Sequence, residues 1–488
     1  MKNSKIAKNY IFNLCYQSLL ALVPLVVQPY AARTLGASAL GIYGYTQSIV
    51  TYFVLIGTLG LSVYGQREIA RFQDNIFERS KVFYELLLLK LMCVSLCIWG
   101  YLVLVFTAFH NDYRIVYLIQ VLDLIATAFD ITFFFQGLEL FKKIAIRNMI
   151  VKGIGVFSIF IFVKEPEDLP IYILSYSLTL LAGNGSLWLF LRIYIEKIPF
   201  KNLNPLKHIR GTLWLFIPQI ACSVYTVLDK TMIGLIIEST RDVGFYDCSQ
   251  KIIYLLLTVI TSMGIVMLPR VSNLYSLGSY QELKRLISAS FSFVAFIAFP
   301  TVVAIMIIAD EFSVAFWGGD FANCAPFLRV LCWIIIIVGF SNVTGLQYLV
   351  PTGREKKFTL SIVVGAVING IANIILLNTI GTIGACMASV FAEFVILLIQ
   401  IYCVRNEISF VEIFKGFWKI ALSTIVFAVV LIATSGIIKV NGIFFILLKI
   451  MISCFFYFAS LYILKEHLFY TLLDGTYKYV SKFFKQKN

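Results

Sequence analysis

Charge is scarce in this chain of 488 residues: only 14% are Asp, Glu, Lys or Arg, against about 25% in soluble globular proteins. No stretch between apolar runs exceeds about 20 residues, too short for the folded basic domain that nucleic-acid binding would need. Histidines number three, His110, His208 and His467, and all fall outside the apolar runs. Ten cysteines are present, but none form a paired Cys-x-x-Cys. Cys93 and Cys97 share a helix face without a histidine partner, and they read as small packing residues. Neither a disulfide framework nor a metal site is expected. With no nucleophile–base pair or metal cluster and no large loop, the pattern argues against a membrane enzyme such as a polymerase or a lipid-linked glycosyltransferase.

What is abundant is apolar surface. Sixty per cent of residues are hydrophobic and the mean hydropathy is +0.89. Apolar runs of roughly 20 residues, each long enough to cross a bilayer, recur from end to end. Helices satisfy their own backbone hydrogen bonds in lipid, and the alternation of a membrane β-barrel is missing. The expected fold class is therefore all-α and polytopic, with about fourteen transmembrane helices. They lie near 11–32, 41–63, 82–108, 114–136, 144–163, 170–194, 212–236, 245–268, 286–310, 324–350, 358–378, 381–404, 414–438 and 443–464.

Charge placement agrees with that count. With the N-terminus in the cytoplasm, about 29 of the 40 Lys and Arg fall on the cytoplasmic side and roughly six outside. Both termini are then cytoplasmic. The net charge of +14 becomes mostly a matter of topology, facing anionic lipid headgroups rather than nucleic acid. Lys2, Lys5 and Lys8 precede an apolar run too long for a signal peptide, and that run reads as the first span. The segment 466–488, with Phe469, Leu473, Tyr477, Val480 and Phe484 among lysines, reads as an interfacial amphipathic tail.

The chain also repeats itself. Gly41-Ile42-Tyr43 with Gln47 is matched by Gly244-Phe245-Tyr246 with Gln250. The same offset carries Arg67 onto Arg270, and each preceding span holds a proline, Pro24 or Pro218. Two six-helix lobes follow, 1–195 and 212–405, joined by a cytoplasmic linker at 196–211. An even number of spans gives both lobes the same orientation, so a pseudo-twofold axis along the membrane normal should relate them. Two further helices occupy 406–465.

Ionisable residues inside spans cost roughly 2.5–3.5 kcal/mol each on insertion scales and ask for a reason. Arg33, Arg67, Lys230, Lys251 and Arg270 are candidate cations for an anionic substrate group, since Arg and Lys are natural partners of diphosphate oxygens. Arg67 and Arg270 also suit a cytoplasmic anchor, and Lys230 can equally neutralise Asp229 or another carboxylate. Arg33 lies at an outer end, where topology gives no reason for a positive charge. Asp123 and Asp130 are seven residues apart in the fourth span and so expected on one face. Glu139 ends that helix, and Glu393 lies in the twelfth span. With Asp229 these carboxylates can serve a coupling proton or sodium ion, or pair with a buried lysine such as Lys90 or Lys152. Asn369 and Asn373 suit interhelical hydrogen bonding.

Six stretches together resemble the polysaccharide transporter (Wzx-type) branch of the multidrug/oligosaccharidyl-lipid/polysaccharide exporter superfamily. They are Ala32-Arg33-Thr34-Leu35-Gly36 with Gly41-Ile42-Tyr43, Tyr64-Gly65-Gln66-Arg67-Glu68-Ile69-Ala70, Phe134-Phe135-Gln136-Gly137-Leu138-Glu139, Asp229-Lys230-Thr231-Met232-Ile233-Gly234, Pro269-Arg270, and Gly345-Leu346-Gln347-Tyr348-Leu349-Val350-Pro351. The resemblance implies two lobes in a V and translocation of a polyprenyl-diphosphate-linked oligosaccharide across a bacterial cell membrane, without an enzymatic cofactor. It places Arg33, Arg67, Asp229, Lys230 and Arg270 at the cavity. Glycosyltransferases and a polysaccharide polymerase are the partners it implies. A peptidoglycan-precursor flippase has the same physics. A cation-coupled drug antiporter of the same superfamily would want carboxylates at the cavity centre.

Overall fold

The computed structural model describes residues 2–107, 113–440 and 442–470. His110 and most of the expected amphipathic tail, 471–488, lie outside the described residues. Every regular element among the described residues is helical. Eleven stretches among them are long and apolar enough to cross a membrane. The first, Val23–Arg71, contains the second expected span and the end of the first. Helices at Phe141–Phe162 and Ile209–Met232 occupy the positions of the fifth and seventh.

The chain divides into two compact units, Met1–Asp247 and Cys248–Asn488. This boundary falls beyond the linker at 196–211, inside the helix of the eighth span. In the first unit, α1 (Lys2–Thr58), α2 (Leu61–Arg71), α3 (Ile76–Thr107), α4 (Arg114–Phe129), α5 (Thr132–Gly137), α6 (Phe141–Phe162), α7 (Leu169–Ser186) and α8 (Trp188–Leu191) precede α9 (Ile209–Met232). α9 packs against α1 and α2, which is why the seventh span clusters with the first six. α1 changes direction at Gly36, whose φ of 79° and ψ of 172° fall in a region open essentially to glycine alone.

The fourth span departs from expectation. Asp130 does not continue the helix that carries Asp123. It caps α4 in an extended conformation, and its carboxylate accepts the Thr132 amide at 2.9 Å. A short polar side chain that bonds its own backbone two residues on turns the chain. The two aspartates therefore do not share a helix face, and Glu139 follows the separate helix α5 rather than ending α4.

The second unit holds most of α10 (Thr240–Ser276), then α11 (Tyr280–Trp317), α12 (Cys324–Leu331), α13 (Trp333–Thr344), α14 (Glu355–Ile380), α15 (Ile383–Val404), α16 (Phe410–Ile437) and α17 (Ile443–Ile463). α14 and α15 form a hairpin around Gly381, at φ 76°. The last two helices pack on one another and on α11. Lys449 of α17 is 1% exposed and bonds Glu311 of α11 at 2.7 Å. The Tyr457 hydroxyl donates to the Phe296 carbonyl at 2.8 Å.

Candidate functional site

The polar heart of the first unit lies where α1, α9 and the first turns of α10 meet. Glycine permits the approach. A Cβ on Gly41 would stand 1.6 Å from the Thr240 carbonyl oxygen, and one on Gly244 would stand 2.2 Å from that of Ala37. These are the two glycines that the repeat makes equivalent, and they bring backbone against backbone. The Ser38 and Thr240 hydroxyls share a hydrogen bond of 2.9 Å beside them. α9 continues into a π-helical turn, Ile233–Ile237, and closes on Glu238 with left-handed φ 57°. Within that turn Gly234 leaves room for the Tyr45 ring, 2.2 Å from where its Cβ would be.

Three consecutive residues of α9 then find three different partners. Successive helical residues are about 100° apart, so neighbours point away from each other. Asp229, buried, accepts a hydrogen bond from the Tyr246 hydroxyl. Lys230 donates to Asp247 Oδ1 at 2.9 Å, the lysine side chain 16% exposed and the aspartate 4%. The Thr231 hydroxyl shares hydrogen bonds with Ser48 at 2.7 Å and Tyr52 at 3.1 Å, both on α1. Lys230 is thus neutralised, by Asp247 and not by its sequence neighbour Asp229. The carboxylate offsets part of what it costs to hold this ammonium away from water.

Of the other candidate cations, Arg33 is exposed on α1 just before the Gly36 bend. Arg67 is exposed on α2, its guanidinium 5.3 Å from the Tyr64 ring centroid and 3.3 Å from Glu68. Lys251 and Arg270 are exposed on α10 and belong to the second unit. Asp123 is buried on α4, Glu393 is buried on α15, and Glu139 is exposed at φ 57°. Lys90 spends its ammonium on the Asp130 carbonyl at 2.6 Å. Asn373 donates to the Asn369 carbonyl one turn back at 3.0 Å.

Sequence reasoning missed a second charged centre. Glu85, on α3 and fully buried, accepts from Lys207 at 2.6 Å, from His208 Nε2 at 3.0 Å and from the Asn204 amide at 3.0 Å. The Tyr64 hydroxyl completes the group, 2.9 Å from His208 Nδ1. A neutral imidazole donates from Nε2 and accepts from that hydroxyl. One carboxylate thereby pins the linker to the first unit. The signal was a lone Glu within a long apolar run, the kind that demands a partner.

Residues 6–275 match the family model described as "Polysaccharide biosynthesis protein", more than half of the chain. The chain belongs to that family. The resemblance carried by the six motifs is borne out, and with it the expectation of a multi-pass membrane protein. A relative named "Putative O-antigen transporter" from Shigella dysenteriae is 23% identical, covering 79% of this chain and 96% of its own length. The "Probable low-salt glycan biosynthesis flippase Agl15" of Haloferax volcanii is 23% identical, covering 87% and 88% respectively. Among solved structures, "Lipid II flippase MurJ, inward closed conformation" superposes with a TM-score of 0.71 at 15% identity, over 93% of this chain and 98% of that one. That likeness speaks for the fold.

Proposed function

We propose that this chain is a flippase, carrying a polyprenyl-diphosphate-linked oligosaccharide from the cytoplasmic to the outer leaflet of a bacterial cell membrane by alternating access. The observation that carries the reading is the Lys230–Asp247 pair. It sits inside the polar junction of α1, α9 and α10, in a chain whose relatives bear the names of a transporter and a flippase. A diphosphate group is a stronger acceptor for an ammonium than one carboxylate, and Lys230 is already desolvated and oriented toward the junction by Asp247. Substrate entry exchanges Asp247 for phosphate oxygens, and departure restores the pair. Arg33, Arg67, Lys251 and Arg270 are the further cations assigned to the anion's path, and tyrosines such as Tyr52 to its sugars. The lobes 1–195 and 212–405 are the moving bodies, with both termini cytoplasmic. Glycosyltransferases would supply the lipid-linked unit and a polymerase would consume it.

The test is lipid analysis in a deletion strain. Complete polyprenyl-diphosphate repeat units should accumulate on the inner leaflet and be cleared when the gene is restored. Accumulated peptidoglycan precursor in their place would reassign the cargo. Normal export, or accumulation of incomplete units, would refute the flippase reading.

A further inference from the structure

Arg67 suits a cytoplasmic anchor or an anion ligand by its place in the sequence, and its surroundings separate the two. Its guanidinium lies 5.3 Å from the centroid of the Tyr64 ring, one turn back on α2. That ring is 8% exposed, and its hydroxyl is held 2.9 Å from Nδ1 of His208 in the linker. His208, 4% exposed, is held in turn by Glu85 Oε2 at 3.0 Å. Gly211, at the start of α9, completes the slot: a Cβ there would stand 2.3 Å from Tyr64 Cε2. α2 is packed as closely against α5. A Cβ on Gly65 would stand 2.6 Å from the Phe133 ring, and one on Gly137 2.8 Å from the Gln66 carbonyl oxygen.

A topological anchor needs a positive charge near the inner leaflet but no fixed direction. Here buried groups from α2, α3 and the linker converge on the ring that lies against one arginine. A guanidinium stacked by its face on an aromatic ring keeps its in-plane N–H donors for a bidentate acceptor. Arg67 also meets Glu68 at 3.3 Å, its side chain 61% exposed, and five donors exceed what that one oxygen can take up. The relay has a fixed order. Glu85 accepts from Nε2 of His208, which leaves Nδ1 to accept from the Tyr64 hydroxyl. We infer that Glu85, His208 and Tyr64, with the slot at Gly211, are positioning residues that aim Arg67 at the diphosphate of the incoming lipid. The ligand rests on the flippase reading; the relay that directs Arg67 is additional to it. Because His208 and Gly211 flank the first turn of α9, the same contacts tie capture on α2 to the helix that carries Lys230.

The experiment measures binding of polyprenyl diphosphate, without sugar, to the purified full-length chain in detergent, with variants compared at matched folded fraction. Arg67→Ala should weaken binding about tenfold through loss of a charge-assisted contact. Gly211→Ala inserts a methyl that displaces the Tyr64 ring while giving α9 a better helix former, and it should weaken binding about threefold. Tyr64→Phe, which keeps the ring and removes the hydroxyl, should do the same and carries the test if Gly211→Ala does not fold. In the Arg67→Ala background neither change should weaken binding further, because the residue they position is gone. Wild-type affinity in both positioning variants would overturn the inference. So would losses that persist undiminished without Arg67, as packing alone would produce. In either case the chain still binds the diphosphate and the flippase reading stands. Absence of binding by the wild-type chain would overturn both.

Discussion

A buried lysine and a half-buried one each face a carboxylate in this protein, and their places in the fold give them different work. Lys449 of α17 reaches Glu311 of α11 across 138 positions of sequence, the lysine 1% exposed. Tyr457 on the same helix adds a second bond to α11. Lys230 meets Asp247 only 17 positions away, and its chain neighbours Asp229 and Thr231 have polar partners of their own in Tyr246, Ser48 and Tyr52. The first pair is a bolt that ties an extra helix to the second unit. The second joins two helices at a junction rich in polar side chains, where the flippase reading needs a charge that can change hands. An ion pair in a membrane protein is therefore read from its neighbours and not from its own geometry.

The comparison can be broken by substitution. Lys230→Ala should lower repeat-unit export at least tenfold (about 1.4 kcal/mol or more of lost charge-assisted binding), read as inner-leaflet accumulation at matched expression. The swapped pair Lys230→Asp with Asp247→Lys should recover expression but not export, since the ammonium moves to α10. At the other lysine, Glu311→Ala leaves a buried charge without a partner. It should cost about 3 kcal/mol of stability, seen as a lower unfolding temperature, while export per folded molecule is unchanged. If both pairs responded alike in export, the distinction between bolt and exchange site would fall.

Smaller effects sharpen the picture elsewhere. Glu85→Gln should cost roughly 2 kcal/mol, because one of the two acceptor oxygens that serve His208, Lys207 and the Asn204 amide becomes a donor and the charge facing Lys207 is lost, and it should speed proteolysis within 196–211. The weakest expected effect is at the loops of the second unit. There Arg354 makes two bonds of 2.6 Å to Glu407, whose side chain is 42% exposed. Hydrogen bonds from Arg354 hold the Glu407 carboxyl below its usual range. Such a depressed acid adds stability above its unfolded-state value and loses it as pH falls through the folded one. Glu407→Gln should therefore destabilise by no more than about 1 kcal/mol at neutral pH after solvent screening. The difference from wild type should vanish in acid, as a pH series of unfolding temperatures would show.

Much of the fold was legible because membrane helices advertise themselves by length and hydropathy. The fourteen expected spans find helices at their positions, and the Gly41 and Gly244 motifs meet in space. What escaped notice was local. Asp130 breaks the fourth span through its own side chain, invisible to a window that averages hydropathy. Glu85 and Lys449 were hidden likewise, charges diluted in a long apolar run, and Glu311 lay just past the expected end of its span. The pairing of Lys230 could not be read from its adjacency to Asp229, since adjacent residues on a helix diverge; the partner came from α10, where Asp247 lies two turns into the helix.

The most direct measurement of the central claim is translocation in liposomes. The purified protein would be reconstituted with a polyprenyl-diphosphate-linked oligosaccharide, and the sugar exposed on each leaflet read with an added glycosidase. The account predicts transfer by the wild-type chain well above protein-free vesicles, and at least about tenfold slower transfer by Lys230→Ala. Transfer no faster than in protein-free vesicles, or an unimpaired Lys230→Ala, would contradict it.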